Sequence, residues 1–133
     1  MAIDPGSRCP CLSGLGYGEC CQPLHRGLRV AATAEQLMRS RYSAFAAGET
    51  AYLLETWHPR TRPRALELDT DRVWTRLDIV RTARGGLLDA DGLVEFVAYS
   101  RVGADRQRQH ETSRFLRERR RWFYLDALDV AAD

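Results

Sequence analysis

The sequence predicts an α+β protein: an N-terminal cysteine-rich segment, then two or three helices packed on a curved antiparallel sheet of about four strands. Three observations support this fold class. All four cysteines lie within residues 9–21, helical periodicity lies between residues 34 and 57, and strand-like alternation with short turns follows from Trp74. Helices followed by a meander of strands are typical of α+β domains, in which the helices cover one face of the sheet.

The composition limits both size and chemistry. A chain of 133 residues has room for one domain and a short appendage. It has no apolar run of membrane-spanning length and no signal peptide, so we expect a cytoplasmic protein with no membrane span. All 20 basic residues are arginines, and the absence of lysine excludes a Walker A phosphate loop, a Schiff base and a Ser–Lys dyad.

The cysteines are spaced as Cys9-Pro10-Cys11, eight residues, then Cys20-Cys21. Four thiols in one short segment of a cytoplasmic chain predict one structural Zn²⁺, held tetrahedrally by all four. Four protein ligands leave no open position for water or substrate, so the ion would stabilise the knuckle rather than catalyse.

Two alternatives use the same four residues. In a disulfide framework, a bridge within Cys9-Pro10-Cys11 or between adjacent Cys20 and Cys21 would be strained, which leaves longer-range pairings. In a redox interpretation, the thiols themselves would be the reactive groups.

The first helix is predicted over residues 34–47, because Thr33 and Gln36 have the form of a capping box and Gly48 is placed to end the helix. A second, shorter helix is predicted within residues 49–57 and ends before Pro59. Residues 60–73 fit a loop, a turn of helix or an edge strand.

Four strands are predicted at residues 77–84, 93–102, 110–118 and 122–128, with Gly- and Asp-rich or Arg-rich turns between them. Short connections predict an antiparallel meander. In the second strand, the alternation places Val94, Phe96 and Ala98 on an apolar face and Glu95 and Tyr99 on the other.

Residues 9–14, Tyr17 and Cys20-Cys21 resemble the SEC-C zinc motif, with Leu12 at a position where that motif usually has glycine. The resemblance implies zinc binding and docking to chaperone, ribosome or membrane surfaces. We therefore expect a protein partner, either a protein-export chaperone or a ribosome-associated one.

Five further stretches, residues 37–45, 52–59, 94–98, 111–115 and 122–126, resemble the bacterial YchJ-like family of SEC-C proteins, whose function is uncharacterised. The implied fold is the nuclear transport factor 2-like (NTF2-like, cystatin-like) cone. The expected division is a flexible leader at 1–8, the zinc knuckle and linker at 9–30 and the cone at 31–130. A second C-terminal SEC-C motif, common in that family, is not expected, since no cysteine follows Cys21.

No catalytic constellation links the three histidines to the carboxylates, so no catalytic residue is assigned. Cones of this type often hold a pocket between helices and sheet. The candidate pocket residues are Arg41, Tyr42, His58, Glu95, Tyr99, Glu111 and Trp122. Each also has a purely structural interpretation, as a core aromatic, an ion-pair partner or a helix-end residue. Arg41 points near the apolar stripe of its helix, and we expect it to pair with Glu95 or Glu111.

Three functional hypotheses follow. The favoured one is a non-enzymatic adaptor that docks to a macromolecular partner. The second is a ligand carrier or enzyme that uses the cone pocket, with His58, Glu95 or Glu111 as acid–base groups; its small-molecule ligand is unknown. The third is nucleic-acid binding through a basic patch of Arg117, Arg119, Arg120 and Arg121.

Overall fold

The computed structural model describes residues 3–132 and confirms the α+β class. A 3-10 turn at Tyr17–Glu19 precedes three helices and four strands. These are α1 (Gln22–His25), α2 (Ala34–Ala47), α3 (Thr50–Glu55), β1 (Arg72–Arg84), β2 (Asp91–Val102), β3 (Asp105–Glu118) and β4 (Arg121–Ala132). Within the described residues, no helix is both long and apolar enough to cross a membrane.

Helix α2 begins and ends where the sequence predicts. Thr33 Oγ1 accepts a hydrogen bond from the Gln36 backbone N at 3.1 Å, and Gly48 ends the helix with a φ of 75°. One detail of the cap differs from the prediction. The Gln36 side chain accepts from the backbone N of Ala32 at 2.6 Å, one residue further back than in a capping box.

Helix α3 is shorter than the predicted 49–57 because the chain after it pairs with β4. Tyr124 N donates to Thr56 O at 2.8 Å, and His58 N donates to Tyr124 O at 2.7 Å. This short parallel pairing draws residues 56–58 out of the helix and onto the edge of the sheet.

The sheet is an antiparallel meander in the order β1-β2-β3-β4. Three of its strands extend well beyond the predicted ranges: β1 begins at Arg72, β3 begins at Asp105, and β4 continues to Ala132. These extensions lack apolar alternation, and it is backbone pairing, such as Arg101 opposite Arg106, that makes them strands. Register shifts in β1 and between β3 and β4 bend the sheet.

The main core lies between α2 and one face of the sheet. It contains Ala31, Ala34, Leu37, Met38, Tyr42, Leu77, Val94, Phe96, Ala98, Phe115 and Trp122. At one end of α2 the contact is backbone to backbone: Ala34 N donates to Gly85 O at 3.0 Å. Glycine is required there, since a Cβ on Gly92 would lie 2.5 Å from the Gly85 Cα.

The cysteine segment packs against α2 on a face that differs from the sheet-facing one. Arg39 Nη1 donates to Cys11 O at 2.7 Å, and Cys9 Sγ lies 3.4 Å from Ser43 Oγ. The leader expected at residues 1–8 contributes to the same unit, because Pro5 O and Ser7 O accept from the backbone N atoms of Gly18 and Tyr17. Residues 1 and 2 of that leader lie outside the described residues, and the three-part division stays a prediction.

Candidate metal centre and candidate binding cavity

A short backbone reversal brings the four cysteines together. Cys9 N donates to Leu15 O at 2.9 Å, and Arg8 pairs with Gly16 in an isolated antiparallel bridge. The chain turns through Leu12 and Gly14, which have φ values of 64° and 96°. The 3-10 turn then presents Cys20 and Cys21 to the first pair.

The sulfur positions fit a tetrahedral metal site. All four Sγ atoms lie within 4.8 Å of one another, with 3.6 Å between Cys11 and Cys20 and 3.8 Å between Cys20 and Cys21. Zinc bound to sulfur at about 2.3 Å separates its tetrahedral ligands by about 3.8 Å, whereas bonded sulfurs lie about 2.05 Å apart. All four cysteines are free thiols. The arrangement therefore fits a possible metal site and not a disulfide framework.

Electrostatics favour a cation at the centre of the cluster. Hydrogen bonds from Cys21 and Cys9 lower the pKa of the Cys11 thiol far below its usual range. The hydrogen bond that Cys21 makes with Cys11 raises the pKa of the Cys21 thiol. Burial raises the pKa of the Cys20 thiol to about 11. Negative charges on sulfurs this close together repel each other. A divalent ion removes that repulsion.

His25 ties the cysteine knuckle to α2. Its Nε2 donates to Ser40 O at 2.8 Å, so in the neutral ring Nδ1 accepts from Tyr17 OH at 2.6 Å. Burial lowers the pKa of His25, which favours this neutral form. Hydrogen bonds thus hold the knuckle to the cone, while Ile3 and Tyr17 pack around the thiols within the knuckle itself.

A cavity of about 480 Å³ lies between α2, the end of α3 and the curved sheet. Three of the seven predicted pocket residues line it: Arg41, Tyr42 and Glu111. Glu111 is buried, and its carboxylate accepts from Gln109 Nε2 at 2.9 Å and from Ser113 Oγ.

Arg41 is buried as expected, but the expected pairing with Glu95 or Glu111 is wrong. Its Nη1 donates to Leu53 O at 2.8 Å and to Thr56 Oγ1 at 2.7 Å, and its guanidinium carbon lies 4.7 Å from the ring centre of Tyr124. The end of α3 lies closer to this side chain than either carboxylate does, and carbonyls at a helix C-terminus lack intrahelical donors. Burial lowers the pKa of Arg41 to about 10, which leaves it cationic at neutral pH.

The other four predicted pocket residues do not line this cavity. Glu95 and Tyr99 lie on the opposite face of β2, where Glu95 bonds Arg81 and His110 and Tyr99 stacks under Arg76. Strand alternation places them there, since the cavity-facing positions are 96, 98 and 100.

Trp122 and His58 have structural roles. Trp122 belongs to the main core, and its Nε1 donates to Ala32 O at 3.2 Å. His58 Nδ1 accepts from Arg60 N, so its Nε2 donates to Glu118 at 3.0 Å.

Sequence reasoning missed most of the aromatic wall of the cavity, which is made by Phe45, Trp57, Trp74, Phe96 and Tyr124. Trp74 and Tyr124 could have been found from the alternation of β1 and β4. Trp57 depends on the chain leaving α3, which no local pattern indicates. Its Nε1 is the one buried side-chain nitrogen or oxygen in residues 3–132 without a hydrogen-bond partner.

The predicted basic patch surrounds the β3–β4 turn. Arg119, Arg120 and Arg121 are exposed, and Arg117 is half-buried. Arg119 and Arg120 form the two-residue turn with φ values of 53° and 68°. In the described part of the chain, none of the four arginines forms an ion pair.

Comparison with known proteins supports the assignment of the cone. Residues 33–127 match the family model described as "YchJ, middle NTF2-like domain". The chain belongs to the YchJ-like family. A UPF0225 protein of Corynebacterium efficiens is 52% identical over 124 residues, which cover 93% of this chain and 95% of that protein. A UPF0225 protein of Chromobacterium violaceum is 50% identical over 123 residues, covering 90% and 91%.

Two solved structures share the fold of this YchJ-like chain. The solution structure of a SEC-C motif containing protein from Rhodopseudomonas palustris has a TM-score of 0.80 and 35% identity, covering 92% of this chain and 98% of that one. The crystal structure of a SEC-C motif containing protein from Psychrobacter arcticus has a TM-score of 0.76 and 31% identity, covering 92% and 82%. Both are described by the motif that the four-cysteine cluster forms here.

Proposed function

We propose that this protein is a zinc-stabilised, non-enzymatic adaptor that docks to a macromolecular partner through its knuckle and linker. The observation that carries this proposal is a local concentration of exposed apolar side chains. Leu12, Leu15, Leu28 and Val30 are 43%, 50%, 78% and 53% exposed, and all four fall within 19 consecutive residues. Exposed apolar patches are typical of protein-binding surfaces, and these four side chains, close together in the sequence, are the proposed surface.

The zinc in this proposal is structural. The cluster offers four thiolates at tetrahedral separations, three of them buried, and Ser13 Oγ lies 3.1 Å from the more exposed Cys20 sulfur. Such a site holds the loop that carries Leu12 and Leu15 in one conformation. An adaptor surface gains from this rigidity because less conformational entropy is lost on binding.

The partner class follows from the SEC-C motif and from the local charge. Docking to a protein-export chaperone or to ribosome-associated proteins is what that motif implies. Arg26 and Arg29 are exposed beside Leu28 and Val30, so the surface combines apolar contact with positive charge. That combination suits an acidic protein surface with apolar patches.

The test is direct binding to purified ribosomes by co-sedimentation and to a purified protein-export chaperone by interferometry. The variant Leu28→Ser/Val30→Ser should lose binding while keeping its metal content. Val80→Ser is the matched control, because Val80 lies on the sheet and is 52% exposed, close to Val30. Equal loss in the control, or binding to neither partner by the unaltered protein, would contradict the docking role.

Nucleic-acid binding through Arg117, Arg119, Arg120 and Arg121 is a second candidate, favoured by their grouping around one turn without ion-pair partners in residues 3–132. Phosphate contacts weaken steeply with salt. A titration with RNA and DNA at low and moderate salt tests it, and no binding at low salt excludes it.

A further inference from the structure

The cavity under α2 contains a charge that the fold does not neutralise by contact. Arg41 is 4% exposed, and it has no carboxylate within 4.0 Å in the described part of the chain. Burying a cation without a paired anion costs several kcal/mol, and a well-packed apolar residue of similar volume would avoid that cost. Such an arrangement needs a reason beyond stability.

The hydrogen bonds of Arg41 use one of its three nitrogens. Nη1 donates to Leu53 O and Thr56 Oγ1, which caps the end of α3. Nε and Nη2 have no hydrogen-bond partner among residues 3–132, and neither is fully buried. The capping of α3 therefore accounts for the hydrogen bonds of Nη1. Nε and Nη2 remain available as hydrogen-bond donors on the cavity side. Guanidinium donors in a planar fork match a carboxylate bidentately.

The walls around this cation are aromatic. Arg41 lies against Trp57 and Tyr124, with its guanidinium carbon 5.2 Å and 4.7 Å from the two ring centres. Tyr42, Phe45, Trp74 and Phe96 continue the lining. Aromatic walls of this kind bind a flat ring by offset or edge-to-face contacts. A volume of about 480 Å³ is within the range of small-molecule sites.

Charged side chains of both signs line the cavity. Three arginines line it (Arg41, Arg72 and Arg108), against one carboxylate, Glu111, which already accepts from Gln109 and Ser113. Arg72 donates to Ser100 and Gln107 near the mouth, and its Nη2 lies 3.8 Å from the Asp69 carboxylate. Burial is the main influence on the pKa of Arg41 and lowers it, while Glu111 acts through space in the opposite direction without contacting the guanidinium.

We propose that this cavity is a binding site for a small planar aromatic carboxylate, whose carboxylate bonds the free edge of Arg41 and whose ring packs among Trp57, Trp74 and Tyr124. This site is separate from the docking surface of the knuckle. The carboxylate supplies the negative charge that Arg41 lacks, and the ring occupies the apolar volume beside it.

The test uses 2-naphthoate and benzoate against their neutral amides, 2-naphthamide and benzamide, by calorimetry and by tryptophan fluorescence. Trp57 and Trp74 line the cavity, so occupancy changes their emission. We expect 2-naphthoate to bind with a dissociation constant below about 1 mM, and the amide to bind on the order of tenfold more weakly, because charge-assisted hydrogen bonds are lost.

Two variants locate the binding, and one controls for charge. Arg41→Gln should remove the preference for carboxylate over amide, and Ala98→Leu, which narrows the cavity from the sheet, should weaken both ligands. Arg81→Gln removes an arginine from the opposite face of the sheet and should change neither.

Equal affinity for acid and amide in the unaltered protein would overturn the anionic ligand class. Absence of binding by every probe would overturn the site. Binding that survives both Arg41→Gln and Ala98→Leu would place the ligand elsewhere and overturn the assignment. If Arg41→Gln fails to fold, Ala98→Leu and the acid–amide comparison still decide between these outcomes.

Discussion

Leu12 occupies a backbone conformation that favours glycine. Its φ is 64°, its backbone N donates to Cys9 O at 3.1 Å, and its side chain is 43% exposed. A residue with a β-carbon in this region carries a strain of roughly 1 kcal/mol. The resemblance to the SEC-C motif implies a position usually occupied by glycine, and the positive φ of Leu12 agrees with it.

The variant Leu12→Gly should therefore tighten metal binding by about fivefold, which corresponds to about 1 kcal/mol of relieved strain. Competition with a metal-sensitive chromophore measures the change. Leu15→Gly is the control, because Leu15 is similarly exposed and its φ is not positive. Leu15→Gly should weaken metal binding, because glycine adds conformational entropy to the unfolded knuckle. Equally tighter metal binding in both variants would show that strain at Leu12 is not the cause.

At the scale of the elements, the sequence predicts those features that depend on one short segment of the chain. The cap at Thr33 and the left-handed Gly48 gave the bounds of α2, since both act within one turn of the helix. The starts of β1 and β3 and the early end of α3 could not be read locally, because cross-strand pairing creates them. In the cavity, Arg41 was expected to be buried, but its partner comes from α3, whose placement depends on the tertiary fold.

The turn of the β3–β4 hairpin lies where the sequence predicts it, but its backbone conformation is unusual for its residues. Arg119 and Arg120 both have positive φ, as in a type I′ turn, which ordinarily contains Asn-Gly. We expect Arg119→Asn/Arg120→Gly to raise the free energy of unfolding by roughly 1–2 kcal/mol and the Tm by roughly 3–8 °C. Thermal and urea unfolding measure both quantities.

The control for the Arg119→Asn/Arg120→Gly variant separates backbone strain from charge repulsion. Arg119→Gln/Arg120→Gln removes the same two charges and retains both β-carbons. An equal gain in the glutamine pair would assign the stabilisation to charge and not to backbone conformation.

At the scale of the whole molecule, the knuckle and the cone have separate apolar clusters. The thiols pack with Ile3 and Tyr17, whereas the sheet packs against α2 in a cluster that contains none of these residues. Hydrogen bonds through Arg39 and His25 join the two, and Leu24 of the linker packs with Ala44, Tyr52 and Leu53 of α2 and α3. Losing the metal should therefore affect the two parts unequally.

Removal of the metal with a chelator should abolish amide protection over residues 9–24 and leave that of β2 and β3 largely intact. Structural zinc contributes roughly 10 to 16 kcal/mol in small knuckles, far more than a few apolar contacts can replace. Hydrogen exchange with and without chelator measures this, and re-addition of zinc should restore protection. Simultaneous loss of protection in the knuckle and the sheet would show that the two form one cooperative unit.

Consecutive residues of helix α2 contact different parts of the molecule. Arg39 and Ser40 bond the knuckle, while the next two residues, Arg41 and Tyr42, line the cavity. A rigid helix cannot move at one of these positions without moving at the other. If metal binding shifts α2, the two sites are thermodynamically linked, and a ligand in the cavity must then change the metal affinity by the same factor by which the metal changes the affinity of the cavity.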